Sequence, residues 1–66
     1  MRKPHHQFED YKIGDEITIL RGPYEDFAGV IYELHPSSKT IRVKVIVSSR
    51  EISLDFNAKQ IRIPKL

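Results

Sequence analysis

The sequence predicts an all-β domain: a small barrel of five short strands, with one short helical turn before the last strand. Three observations carry that reading. Apolar residues alternate with polar ones in short runs, the period of a half-buried strand. Clusters of Gly, Pro, Ser and Asn separate those runs, as turns separate strands. The chain has 66 residues and no cysteine, so neither a disulfide nor a zinc–thiolate site can staple it. A compact apolar interior must hold it, and a small barrel supplies one.

Ile17 to Leu20 opens the pattern, with Ile17 and Ile19 on one face and Thr18 and Leu20 on the other. Arg21-Gly22-Pro23-Tyr24 breaks it, because Pro23 has no N–H to donate and Gly22 reaches backbone angles other residues avoid. A second strand runs from Phe27 to Leu34 and contains Gly29. A glycine inside a strand marks a bulge, a bend or a close backbone approach. His35-Pro36-Ser37-Ser38-Lys39 is a turn. Thr40 to Val47 then alternates most clearly, with Ile41, Val43, Val45 and Val47 inward and Arg42, Lys44 and Ile46 outward.

Ser48-Ser49 makes a tight turn, and Arg50 to Leu54 returns with Ile52 and Leu54 inward. Asp55 to Lys59 is too short for an α-helix and suits a single helical turn. Gln60 to Ile63 is the last strand, stopped by Pro64. Ahead of the first strand, Gly14-Asp15 is a turn, and Phe8 and Tyr11 cover one open end of the core. Residues 1–10 read as a flexible linker and residues 11–66 as the folded domain. Five short strands with Gly, Pro and Ser turns define an SH3-like barrel.

The net charge of +2 hides an asymmetry. Residues 8–33 carry two cations against seven acids, and residues 34–66 carry seven cations against two acids. Strands from both halves interleave in a barrel, so folding decides whether a basic patch forms. No apolar run nears the roughly 20 residues that span a bilayer, and the N-terminus lacks a signal-peptide core. A monomeric cytoplasmic protein without membrane contact is expected.

No convergent catalytic set exists: there is no cysteine, no Gly-rich loop before a helix, and no histidine with a motif partner. Glu25-Asp26 reads as a solvated loop tip, and Ser48 and Ser49 have no nearby base. His5 and His6 are adjacent and point apart, so they do not make a metal site with His35. Neither an enzyme nor a cofactor is expected. A binding module is.

Two features point to what it binds. Tyr24 at the loop tip either offers a stacking platform or folds back over the barrel mouth. Arg42, Lys44 and Ile46, flanked by Lys39 and Arg50, form either a ligand-facing basic row or an ordinary solvated strand face. With Arg21 and His35, these residues would suit single-stranded or looped RNA, through phosphate contacts and base stacking.

The alternating Ile17 and Ile19, then Gly22-Pro23-Tyr24, then Phe27-Ala28-Gly29-Val30 resemble the KOW motif in the C-terminal domain of NusG-family transcription factors. Lys12-Ile13-Gly14-Asp15 looks like that family's lead-in and Ser53-Leu54-Asp55-Phe56 like its closing segment. The resemblance spans about Tyr11 to Ile63. It implies a barrel tethered to an N-terminal domain that rides on RNA polymerase. It also implies partners such as the termination factor Rho or a small-subunit ribosomal protein. The contact surface it implies includes Tyr24, Phe27, Ile46 and the hairpin at Ser48 and Ser49.

Typical members carry Ile-Phe-Gly-Arg in that hairpin, whereas Val47-Ser48-Ser49-Arg50-Glu51-Ile52 is about two residues shorter and lacks the aromatic. That departure weighs against Rho contact and looks like the specialised LoaP- or RfaH-like antiterminators, for which the RNA-binding reading is the first expectation. Protein recruitment without specific RNA affinity is the alternative, and a ribosome-associated KOW protein is a third. Pro23, Pro36 and the β-branched run Ile41–Val47 argue against a helical alternative fold.

Overall fold

A computed structural model describes residues 7–64; the residues on either side, including His5 and His6 and most of the expected linker, lie outside the described residues. Five antiparallel strands form one sheet: β1 (Glu16–Ile19), β2 (Ala28–His35), β3 (Thr40–Val47), β4 (Arg50–Phe56) and β5 (Ile61–Arg62). Their spatial order is β4-β3-β2-β1-β5. The sheet curls into a half-barrel, which is the fold the alternation predicts.

Strand alternation decides what lies inside the curl. The core comprises Tyr11, Ile17, Ile19, Ile31, Ile41, Val43, Val45 and Ile61. Phe8, Tyr24, Leu34, Val47, Leu54, Phe56, Ala58 and Ile63 pack around it, half-buried. Burying each large aliphatic side chain contributes about 1.5–3 kcal/mol, so this one cluster carries the domain.

Several details differ from the sequence reading. The fourth strand continues through Asp55 and Phe56, because both pair with β3, at Arg42 and Ile41 respectively. The helical turn before β5 is therefore a single hydrogen-bonded turn, with Gln60 N–H donating to Asn57 O at 3.1 Å. A short 3₁₀ helix, Phe8–Asp10, sits instead at the start of the domain, where Gln7 N–H donates to the Asp10 carboxylate at 2.8 Å.

Gly29 is the third difference. It lies in regular register between Ile17 of β1 and Val45 of β3. The irregularity of β2 falls between Ile31 and Glu33, at Tyr32. Close approach is what requires glycine here. A Cβ on Gly29 would collide with Val43 Cγ1 and stand 3.0 Å from both Lys44 O and Val45 Cγ2.

Tyr11 fastens the lead-in to the far edge. Its buried hydroxyl donates to Ile61 O at 2.9 Å, with Ala58 O at 3.2 Å also within reach. Burial pushes the Tyr11 phenol up to about 12. Gly14 N–H donates to Ile31 O, and Ile31 N–H to Asp15 O, which joins the lead-in to β2.

Candidate functional site

The loop between β1 and β2 is held by its own backbone. Asp26 N–H donates to Ile19 O, Phe27 N–H to Tyr24 O, and Glu25 N–H to Gly22 O. Gly22 takes φ +94°, and Asp26 follows at +73°. This path folds Tyr24 back onto the core edge, where its ring meets Phe27 edge-to-face with centroids 5.8 Å apart. Of the two sequence alternatives for Tyr24, the fold adopts the second.

The outer face of β2, β3 and β4 is a network of neutralised charges. Arg42 Nε donates to Asp55 Oδ1 at 2.9 Å, and its Nη1 donates to Glu33 Oε1 at 3.1 Å. His35 Nε2 lies 3.0 Å from the same Glu33 oxygen. Lys44 pairs with Glu51 at 3.3 Å, and Lys39 with Glu9 at 3.1 Å. The Lys44 ammonium also sits 4.8 Å from the ring centroid of Tyr32, whose hydroxyl donates to Ser53 Oγ at 3.0 Å.

The titrations follow this pairing. The hydrogen bond that Arg42 donates to Asp55, and the charge of that carboxylate, hold the Arg42 guanidinium above its ordinary value. The hydrogen bond from His35, then the charges of His35 and Arg42, hold the Glu33 carboxyl below the usual carboxylate range. Glu9 is held low first by its own backbone and then by Lys39.

Thus Arg42, Lys44, Lys39 and His35 of the expected RNA-binding set are engaged by acids. Arg21 and Arg50 are exposed and form no ion pair with another described residue. Lys59 and Arg62 are in the same state. Of the residues expected to meet a protein, Tyr24 is half-buried against the core, while Phe27, Ile46, Ser48 and Ser49 stay open. Ile46 is 65% exposed and Phe27 39% exposed. Ser48 and Ser49 are exposed in a two-residue hairpin with φ of +52° and +67°.

Sequence reasoning overlooked Val30, which is 46% exposed and pairs in register with Lys44. Alternation about the buried Gly29 was the available signal for its outward side. Tyr32 was also missed, because one extra residue in β2 shifts the phase and no local pattern announces it. The acids opposite the basic row were within reach. A two-residue turn at Ser48-Ser49 fixes the register that sets Asp55 across from Arg42. Among the described residues, no cluster of His, Asp and Glu could hold a metal ion. No helix among them is long and apolar enough to cross a membrane.

An antiparallel half-barrel of this order, with a backbone-tied loop and an open apolar strip on its outer face, defines a KOW-type module. Comparison with known proteins places it further. The transcription termination/antitermination protein NusG of Thermus thermophilus is 33% identical over 49 residues, covering 71% of this chain and 27% of that protein. That of Deinococcus radiodurans is 36% identical over 50 residues, 73% of this chain and 26% of the relative. A solved structure of Thermotoga maritima NusG, determined for its domain interaction, superposes with a TM-score of 0.74 at 34% identity. The match covers 83% of this chain and 31% of that one. No protein-family model matches the chain. The chain is a domain of the NusG family, and it spans about a quarter of the length of the curated relatives it matches.

Proposed function

We propose that this domain serves transcription elongation as a protein-recruitment module of the NusG type. It would act beside an N-terminal domain that rides on RNA polymerase. The carrying observation is the contrast on its outer face: the cations of the basic row are ion-paired, while Phe27, Val30 and Ile46 stand in water. Exposed apolar side chains beside well-packed loops are what a protein partner buries, and a few such anchors dominate binding energy. The hairpin at Ser48 and Ser49 offers no aromatic, which favours a small-subunit ribosomal protein over Rho as the partner.

The test is an NMR titration of this chain with the small-subunit ribosomal protein and, separately, with Rho. Shifts should centre on Phe27, Val30, Ile46 and the Ser48-Ser49 hairpin. Phe27→Ala and Ile46→Asp should each weaken binding by at least about tenfold, as for anchors near an interface centre. Unchanged affinity in both variants overturns the reading.

A second reading is antitermination through RNA, as in the specialised LoaP-like paralogs. It is favoured by Arg21 and Arg50, which lie outside the β3 row and form no ion pair with another described residue. Under it, structured RNA hairpins bind with an affinity that falls steeply with salt. Salt-insensitive or absent binding rejects it.

A further inference from the structure

The turn that leads into β5 and the loop that leaves β1 enclose an open cleft of about 350 Å³, lined by Arg21, Asn57, Lys59 and Gln60. The backbone joins the two sides, with Leu20 N–H donating to Gln60 O at 2.9 Å. What distinguishes the cleft is its hydrogen-bonding polarity. Gln60 Oε1 accepts from Asn57 N–H at 3.0 Å, and Asn57 Oδ1 accepts from Lys59 N–H at 2.9 Å. Both carboxamides therefore have their oxygens engaged inside the turn, and each is left with an NH₂ group that only donates.

Arg21 and Lys59 add a guanidinium and an ammonium, neither in an ion pair with another described residue. Among the described residues, no acid lines the cleft. Its lining of four residues consists of hydrogen-bond donors. On the outer sheet face the opposite holds, since the expected cations there have acidic neighbours.

We propose that this cleft binds a phosphate of a nucleic-acid backbone, with Arg21 and Lys59 supplying charge and the Asn57 and Gln60 amides supplying neutral hydrogen bonds. Planar guanidinium groups and neutral donors together suit the phosphodiester oxygens. Arg62, on the adjoining strand β5 opposite Thr18, is another exposed cation without an ion pair among the described residues. Exposed cations on adjoining elements favour a repeating polyanion over a single ion. The site is separate from the apolar strip and deepens the RNA reading, on which it rests.

The experiment is a salt-dependent titration of this chain with a short oligouridylate, followed by backbone NMR shifts and fluorescence anisotropy. Arg21→Gln/Lys59→Gln should weaken binding about tenfold at low ionic strength. It should also lower the magnitude of the log K versus log salt slope by about 0.7, the contribution of one neutralised single-strand phosphate. Arg42→Gln/Lys44→Gln should leave that slope unchanged. Asn57→Asp is nearly isosteric and keeps an oxygen for the Lys59 N–H, yet turns a donor into an anion. It should remove binding while the melting curve stays as in the wild type.

Inorganic phosphate and polyglutamate are the comparison probes. Phosphate should shift the same amides weakly, and polyglutamate should not reach them. A wild-type chain that binds neither oligouridylate nor a structured RNA hairpin rejects the RNA reading and the site together. Oligouridylate binding that the cleft variants leave unaltered keeps RNA binding and overturns this site. Polyglutamate binding as tight as oligouridylate, lost in the same variants, also overturns it in favour of an acidic protein ligand.

Discussion

The two sides of β3 obey different rules. Its inward residues Ile41, Val43 and Val45 are fully buried, and they would be buried in any fold that kept this strand against a core. Its outward residues Arg42, Lys44 and Ile46 belong to one row by sequence, but the fold treats them unequally. Neighbouring strands bring Asp55 and Glu33 to Arg42, and Glu51 to Lys44, and leave Ile46 65% exposed. The lesson concerns range. Burial follows a local period of two, whereas the charge of a surface depends on residues that the register of the adjoining strands sets alongside.

The largest expected effect comes from breaking the inner side. Gly29→Val forces a branched side chain into space held by Val43 and Val45, and should destabilise by about 1–3 kcal/mol through overpacking. Urea denaturation checks it, and a midpoint equal to wild type would make Gly29 an ordinary strand position. Next is Tyr11→Phe, which leaves the Ile61 and Ala58 carbonyls without their hydroxyl donor, at a cost of about 1–2 kcal/mol.

Tyr11 also sets an alkaline limit. Its phenol moves from 10.0 to about 12 through burial, so the fold favours the neutral form. The hydroxyl's contribution is complete below pH 10 and is lost as pH rises through about 12. Melting temperatures of wild type and Tyr11→Phe should converge over that window. Parallel curves up to the alkaline end would contradict the assigned burial.

A smaller change, opposite in sign, is expected where β3 turns into β4. Ser48 and Ser49 both occupy the left-handed region, which suits Asn-Gly far better. Ser48→Asn/Ser49→Gly should stabilise by about 0.5–1 kcal/mol, read as a higher urea midpoint. If it also weakens partner binding, the serines serve the contact surface.

The smallest effect tests the outer side. The lowered carboxyl of Glu33 contributes stability above its ordinary value of 4.5, lost as pH falls through its lower folded value. Glu33→Gln should therefore show a shallower decline in melting temperature on acidification than wild type. Identical acid limbs would mean that the outer network is screened by solvent.

The sequence by itself determined the strands, their inward faces and the turns between them. Ile17, Ile19, Ile41, Val43 and Val45 alternate without interruption, and a period of two needs no knowledge of the neighbours. It also marked Gly29 as special and Ile46 as outward, while Phe27 entered only through the family resemblance. Tertiary structure alone decided the phase shift at Tyr32, the fate of Tyr24 against Phe27, and the pairing of Arg42 with Glu33 across that shift. It also decided that Arg21 and Lys59, far apart along the chain, share one cleft with the spare amides of Asn57 and Gln60. The physical reason is that Coulomb and hydrogen-bond partners are chosen by distance in space, and only the folded sheet brings those distances down to contact.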